Sequence, residues 1–131
     1  MNNIYDIKIL LTSVGTAIGY FLGGFDIMMI TLLVFIMIDY ITGVMCAIIN
    51  KKLSSKIGYK GIFKKLLIII LIGLVNLLGK SINIDGLRYV AISFYIANEG
   101  LSIIENASII GVPIPQKIKD ILKQLRNKGS G

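Results

Sequence analysis

The chain has 131 residues, of which 55% are hydrophobic, and it carries 14 lysines and arginines against seven aspartates and glutamates. This apolar content exceeds that of an ordinary soluble domain, so it excludes a water-soluble globular fold and indicates an integral membrane protein. Each helix that crosses the hydrocarbon core needs about 20 residues. We therefore expect one all-α membrane bundle of four transmembrane helices over residues 1–115, with no separate soluble domain.

The first predicted span, residues 7–24, carries a glycine at every fourth position: Gly15, Gly19 and Gly23. Small residues with this spacing let a partner helix approach closely, so they predict a helix-packing face. The segment lacks the basic start and the small-residue cleavage site of a signal peptide. We therefore expect it to be retained as a span.

The second span, residues 27–49, follows a Gly-Gly-Phe-Asp turn and is the most hydrophobic of the four. Four of its polar or small residues are spaced i, i+3, i+4 and i+7 and share one helix face: Asp39, Thr42, Gly43 and Cys46. We expect this face to look into the bundle, with Gly43 as a packing residue. A lone cysteine forms no intrachain disulfide, so Cys46 is interpreted as a small packing residue.

The third span is predicted over residues 64–84. Asn76 is its interior polar group. Lys64 and Lys65 at one end, and Lys80 at the other, are expected to extend their ammonium groups to the membrane surface.

The fourth span, residues 88–112, holds the strongest functional signal, because two carboxylates interrupt a segment otherwise apolar enough to cross a bilayer. A charge at mid-membrane costs about 2.5–3.5 kcal/mol on insertion scales, so each is a candidate functional group. On a helix, the polar residues share one sector: Tyr95, Asn98, Glu99, Ser102, Glu105 and Asn106. With Asp39 and Thr42 they form a predicted intramembrane polar stripe, which faces protein, a second copy or water.

Gly111, Pro113 and Pro115 end the fourth span, because proline does not continue a helix. Residues 116–131 are predicted to be a basic cytoplasmic tail. Its Gly-Ser-Gly end has the composition of a linker.

Lysine placement predicts the orientation of the spans. The connector between the second and third spans has six basic residues and no acidic one: Lys51, Lys52, Lys56, Lys60, Lys64 and Lys65. The positive-inside rule places this connector and the basic tail in the cytoplasm, and four spans place the N-terminus there too. A three-span form with an external N-terminus is the alternative.

The net charge of +7 suggests nucleic acid as a partner, but no aromatic residues are interleaved with the lysines. Topology and attraction to anionic lipid headgroups explain the charge instead. The sequence has no histidine, no metal-ligand cluster, no phosphate-binding glycine loop and no pair of nucleophile and base. We expect no enzymatic activity, no cofactor, no metal and no nucleic-acid partner.

Four blocks in order carry a family resemblance over about residues 31–125. They are Asp39-Tyr40-x-Thr42-Gly43, Ser54-Ser55-Lys56-x-Gly58-Tyr59-Lys60-Gly61-x-x-Lys64-Lys65, the run from Phe94 to Asn106, and Gly111-Val112-Pro113-Ile114-Pro115. With these blocks the chain resembles the toxin-secretion and phage-lysis holins, small membrane proteins of Gram-positive bacteria and their phages. The first 25 residues carry no comparable motif.

The resemblance implies a homo-oligomer in the bacterial cytoplasmic membrane that opens large lesions at a set time. A cell-wall hydrolase or a large toxin would leave the cell through them. Two other functions stay open on the residues alone. Membrane carboxylates also serve ion-coupled transporters, and a regulatory holin antagonist would have similar spans.

Overall fold

The computed structural model describes residues 2–52 and 54–130, and every regular element within them is an α-helix. The helices are α1 (Asn3–Leu22), α2 (Ile27–Ile49), α3 (Ser55–Ser81), α4 (Leu87–Ile110) and α5 (Gln116–Ser130). The all-α fold class predicted from the sequence is confirmed. Gly131, the last residue of the expected linker, lies outside the described residues.

Helix α4 is the centre of the bundle, since it packs against α2, α3 and α5. Helix α1 packs on α3, and α5 packs on α4. One apolar cluster joins the first four helices, and its fully buried members include Leu22, Met29, Leu32, Ile72 and Ile92. The apolar α1 and the basic α5 therefore contact different helices of the bundle.

Two helices of the described chain are long and apolar enough to cross a membrane: α2, over Ile27–Ile49, and the Gly58–Ser81 part of α3. Charged residues reduce the apolarity of the other two expected spans. Helix α1 contains Asp6 and Lys8, and α4 contains Arg88, Glu99 and Glu105. The four-span count thus remains a prediction for α1 and α4.

Phe21 of α1 lies directly over Gly73 of α3, and a methyl group added at Gly73 would overlap its ring. This glycine lets the two helices meet, since any larger residue would displace the aromatic side chain. The glycines predicted to form a packing face on α1 are placed differently. Gly15 faces open space, whereas a Cβ at Gly19 would lie 3.1 Å from the ring of Phe25.

The turn between α1 and α2 occupies the predicted Gly-Gly-Phe-Asp segment. Gly23 ends α1 with a left-handed backbone (φ 87°), which glycine adopts without steric cost. Asp26 begins α2 as its N-cap, and its carboxylate accepts a 3.0 Å hydrogen bond from the amide of Met29. Such a cap satisfies one of the free N–H groups at a helix start.

Arg88 of α4 fastens this turn to the rest of the bundle. Its guanidinium donates to the carbonyls of Leu22 (2.6 Å) and Gly24 (2.9 Å) and pairs with Asp26 at 2.8 Å. We call this contact set the Arg88 clasp. The side-chain hydrogen bond from Arg88 is the main reason that the pKa of Asp26 falls to about 2.

Asn76, the predicted interior polar group of the third span, donates a 2.9 Å hydrogen bond to the carbonyl of Phe21. The last carbonyls of a helix have no partner within the helix. Asn76 and the Arg88 clasp supply partners for three carbonyls at and just after the end of α1.

Two helical segments extend outside the predicted membrane spans. Helix α3 begins at Ser55, well before residue 64, so much of the basic connector is helical. Within the predicted basic tail, residues 116–130 form a helix. The reason is an apolar face with helical spacing, formed by Ile118, Ile121, Leu122 and Leu125.

Candidate functional site

Three charged side chains from three helices meet inside the bundle. The Nζ atom of Lys65 on α3 lies 2.6 Å from Oδ2 of Asp39 on α2 and 2.7 Å from Oε2 of Glu99 on α4. The three side chains are only 16%, 11% and 7% exposed, respectively. We call this cluster the ionic triad.

Each member of the ionic triad comes from a different helix. Asp39 lies near the middle of α2, and Glu99 lies midway along α4. A buried carboxylate is stable only with a polar partner, so both groups require one within the protein. Lys65 is the cation that reaches both.

The polar network extends from the ionic triad towards one end of the bundle. Asn106 of α4 donates hydrogen bonds to the Asp39 carboxylate (3.1 Å) and to Oγ1 of Thr42 (2.9 Å). The backbone carbonyl of Asn106 in turn accepts from Cys46 Sγ at 3.2 Å. These contacts join α2 to α4 over two helical turns, from residue 39 to residue 46.

A cavity of about 670 Å³ lies beside the ionic triad, between α2, α3 and α4. Polar residues of the predicted stripe line it together with the triad: Tyr95, Asn98, Ser102 and Asn106. Gly43 also lines it, as do Gly58 and Gly61. The ring of Tyr40 lies against Gly61, where an added Cβ would be 3.7 Å away.

The structure brings together seven of the eight residues of the predicted polar stripe. Asp39, Thr42, Glu99 and Asn106 are joined by the contacts above, and Tyr95, Asn98 and Ser102 line the cavity. Glu105 is the exception, since it is exposed. It lies six residues from Glu99, so its side chain points about 120° away.

The glycines predicted for helix packing have separate environments. Gly43 lies 3.8 Å, measured from an added Cβ, from Nδ2 of Asn106. Gly23 caps α1 inside the Arg88 clasp, Gly19 faces Phe25 and Gly15 faces open space. A packing role of Gly15 in an assembly remains a prediction, because none of the described residues lies within 4 Å of a Cβ added there.

Lys65 departs from the sequence-based expectation. It was expected to reach the membrane surface as part of the basic connector, but it turns inward and binds two carboxylates. The neighbouring Lys64 is exposed, as are Lys51, Lys52, Lys56 and Lys60. A sequence signal for such a lysine does exist, because the buried carboxylates of Asp39 and Glu99 require a cation. The structure shows that Lys65, and not the neighbouring Lys64, faces them.

The ionic triad neutralises part of its own buried charge, since Lys65 pairs with both carboxylates, and it joins α2, α3 and α4. Removing one partner of a buried ion pair leaves an unpaired charge at a cost of about 3–5 kcal/mol. Within residues 2–52 and 54–130, no group of three or more His, Cys, Asp or Glu side chains is arranged to hold a metal ion. The two ion pairs of Lys65 make the site an electrostatic contact between three helices.

Comparison with known proteins gives relatives along almost the whole chain. The Clostridium perfringens protein named "Uncharacterized 14.9 kDa protein in nagH 3'region" is 46% identical, over 98% of this chain and 99% of the relative. YtkC of Bacillus subtilis is 36% identical over 86% of this chain and 85% of its own length. Lin0175 of Listeria innocua is 35% identical over 88% and 84%. No solved structure matches the chain.

The sequence model of the bacteriophage holin family matches residues 16–127 of this chain. This range includes the ionic triad, the cavity, the Arg88 clasp and most of α5. It covers far more than half of the 131 residues, and the holin resemblance seen in the sequence motifs is thereby confirmed. The chain belongs to the bacteriophage holin family.

Proposed function

We propose that this protein is a holin that oligomerises in the cytoplasmic membrane and forms lesions wide enough to release a cell-wall hydrolase or a large toxin. Family membership supports a pore-forming role in lysis. The observation that carries the proposal is the ionic triad, which holds three membrane helices together through charges that lipid does not solvate.

The ionic triad supports two states of the membrane-embedded chain. In the compact state, Lys65 offsets the carboxylates of Asp39 and Glu99, and the helices stay together. If α2, α3 and α4 separate in an assembly, the same three groups require water. A water-filled opening between copies supplies that hydration, so the polar stripe stabilises the open lesion as well as the closed bundle.

The proposed arrangement has four spans, α1 to α4. The basic connector between the second and third spans and the C-terminus lie in the cytoplasm. The exposed lysines of the connector, Lys51, Lys52, Lys56 and Lys60, then lie near anionic headgroups, which attract basic segments. The proposed partners are further copies of this chain, this lipid surface and the released cargo.

The function is tested by expressing the chain in a bacterium and measuring two signals, the release of a cytoplasmic reporter protein and the efflux of potassium. We expect the reporter to leave the cells abruptly after a delay. Potassium efflux without the reporter would indicate an ion-coupled transporter instead. Delayed lysis by a co-expressed holin, with neither signal from this chain alone, would indicate an antagonist.

Two matched pairs of variants connect that activity to the ionic triad. Lys65→Met leaves two buried carboxylates without a cation, whereas Lys64→Met removes an exposed lysine. Glu99→Gln alters the triad, whereas Glu105→Gln removes an exposed carboxylate. We expect Lys65→Met and Glu99→Gln to change the lysis time severalfold at equal membrane abundance, and the two controls to keep it.

Membrane abundance of each variant is measured by immunoblot, because Lys65→Met also destabilises the compact bundle. Glu99→Gln preserves side-chain shape and hydrogen bonding, and it therefore tests the charge without a large loss of packing. Normal lysis timing in both triad variants would contradict the assigned role of the triad.

A further inference from the structure

The cavity beside the ionic triad is large enough to hold a small molecule. Its volume of about 670 Å³ falls within the range of about 300–1,000 Å³ that is typical of ligand pockets. Small residues of α2 and α3 leave this room: Gly43, Ala47, Gly58 and Gly61. A Cβ added at any of the three glycines would lie 3.5 Å or more from the nearest neighbouring side chain. The cavity is therefore bounded by contacts that are not crowded.

The cavity has walls of two kinds. Three residues of α4 line it with side-chain oxygens that accept hydrogen bonds: Asn98, Glu99 and Ser102. Three residues of α3 line it with apolar side chains: Leu67, Ile68 and Leu71. Ligand pockets combine apolar walls with a few polar groups in this way. A molecule that fits both walls has a hydrogen-bond donor at one end and a short apolar chain.

The charges beside the cavity are unbalanced. Asp39 and Glu99 supply two carboxylates, and both bind the single ammonium group of Lys65. Lys64 also lines the cavity, but it is exposed and takes part in none of the ion pairs recorded for residues 2–52 and 54–130. Because a buried charge without a partner is costly, the site favours one further positive group.

A primary ammonium group meets these requirements. It carries one positive charge and three N–H donors. The donors match a carboxylate oxygen together with the oxygens of Asn98 and Ser102 in the same wall. An attached alkyl chain would lie against the α3 wall, where removal of apolar surface from water is favourable.

We infer that the cavity between α2, α3 and α4 binds a primary ammonium group carried on a short alkyl chain, with the ammonium at Asp39 and Glu99. A ligand that binds the compact bundle in preference to separated helices stabilises the bundle by mass action. Such an amine inhibits lesion opening, a consequence that rests on the proposed function. Two sources supply this chemistry: a free alkylamine, and the ethanolamine headgroup of a membrane lipid.

The binding is tested by the melting temperature of the full chain in detergent, with n-butylammonium chloride as the probe. We expect a rise of several degrees that saturates with concentration. The matched controls are n-butanol, which has the chain without the charge, and tetramethylammonium chloride, which has the charge without N–H donors. Neither should raise the melting temperature. An equal rise with tetramethylammonium, or no rise with n-butylammonium because a proton neutralises the second carboxylate instead, would overturn the inference.

Two pairs of variants locate the site. Glu99→Gln removes the unbalanced charge, and Ala47→Leu fills the cavity without changing its charge, so each should abolish the saturable rise. In the matched controls, Glu105→Gln removes an exposed carboxylate and Ala17→Leu enlarges an exposed residue of α1. Both controls should keep the rise. Each rise is measured from the variant's own melting temperature without amine, and a rise retained in Glu99→Gln or in Ala47→Leu would overturn the assignment to this cavity.

Lipid nanodiscs distinguish the two sources of the ammonium group. If the lipid headgroup occupies the cavity, the melting temperature is higher with phosphatidylethanolamine than with phosphatidylcholine alone, whose headgroup has no N–H donor. If a free amine occupies it, n-butylammonium raises the melting temperature equally in both. An effect of neither would overturn the inference even for a chain that releases the reporter protein. A clear amine effect on a chain that releases no reporter would instead contradict the proposed function alone.

Discussion

At the scale of single residues, the ionic triad is unusual because it has one ammonium group for two carboxylates. A buried ion pair contributes little net stability, because desolvation offsets much of the attraction, but the loss of one partner is costly. Asp39, Lys65 and Glu99 are therefore better explained by the cost of losing one member than as a source of net stability. This explanation is the reason for testing lysis time and abundance separately.

The Arg88 clasp predicts a specific pH dependence. The pKa of Asp26 is lowered from 3.8 to about 2, chiefly by its hydrogen bond with Arg88. A lowered folded-state pKa means that the stabilisation is complete above about pH 4 and is lost as the pH falls through about 2. In detergent, the difference in melting temperature between the wild type and Asp26→Asn should stay constant from neutral pH to about pH 5 and shrink below about pH 4.

The control for this measurement is Asp6→Asn, which removes an exposed carboxylate of α1. Its melting temperature should follow that of the wild type across the same range. If the Asp26→Asn difference instead closed between about pH 6 and pH 5, the ion pair with Arg88 would not set the stability of the turn.

At the scale of helices, the sequence predicted the elements well and their contacts only in part. The apolar runs and the Gly-Gly-Phe-Asp turn place α1, α2 and α4 within a few residues of their ends. The helical face that holds Asp39 was also predicted, but its partner was not, because the angle between α2 and α3 decides which lysine meets it. Lys64 and Lys65 are equivalent in sequence and differ by a rotation of 100° on the helix.

The contact between α1 and α3 depends on Gly73, so a single substitution at this residue tests it. Gly73→Ala places a methyl group in the space of the Phe21 ring, and overpacking of this kind costs about 1–3 kcal/mol. We expect a lower melting temperature in detergent and weaker crosslinking between α1 and α3. Gly15→Ala is the matched control, since nothing lies within 4 Å of the added Cβ.

A second substitution distinguishes this clash from a general loss of stability. Phe21→Leu removes the ring that the new methyl group would meet, so Gly73→Ala should cost less in that background than in the wild type. Identical costs in the two backgrounds would show that Phe21 does not set the spacing of the helices.

At the scale of the whole molecule, the lysine distribution and the fold suggest the same orientation. Helices α2 and α4 both begin near the Arg88 clasp and run to the other end of the bundle. The exposed lysines of the connector follow the end of α2, and the basic α5 follows the end of α4. The positive-inside rule assigns the lysine-rich end to the cytoplasm. With this proposed orientation, we expect the turn that contains Asp26 and the turn that contains Asp85 to lie outside the cell.

Single cysteines in a Cys46→Ser background test this topology in intact cells with a membrane-impermeant thiol reagent. Ser55→Cys and Lys123→Cys should be protected, and Asp85→Cys should be labelled. Asn2→Cys decides between four and three spans, because it is protected only if α1 crosses the membrane. Labelling of Ser55→Cys together with protection of Asp85→Cys would invert the orientation.

The Arg88 clasp also affects how freely the N-terminal helix can change during evolution. Arg88 and Asn76 hold the end of α1 largely through the main-chain carbonyls of Phe21, Leu22 and Gly24. Every amino acid supplies such a carbonyl, so these three contacts do not depend on the side chains of Phe21, Leu22 or Gly24, whereas the clasp does need the Asp26 carboxylate and leaves no room for a Cβ at Gly23. The part of α1 before Phe21 makes none of these contacts, so we expect substitutions there to leave the anchor intact.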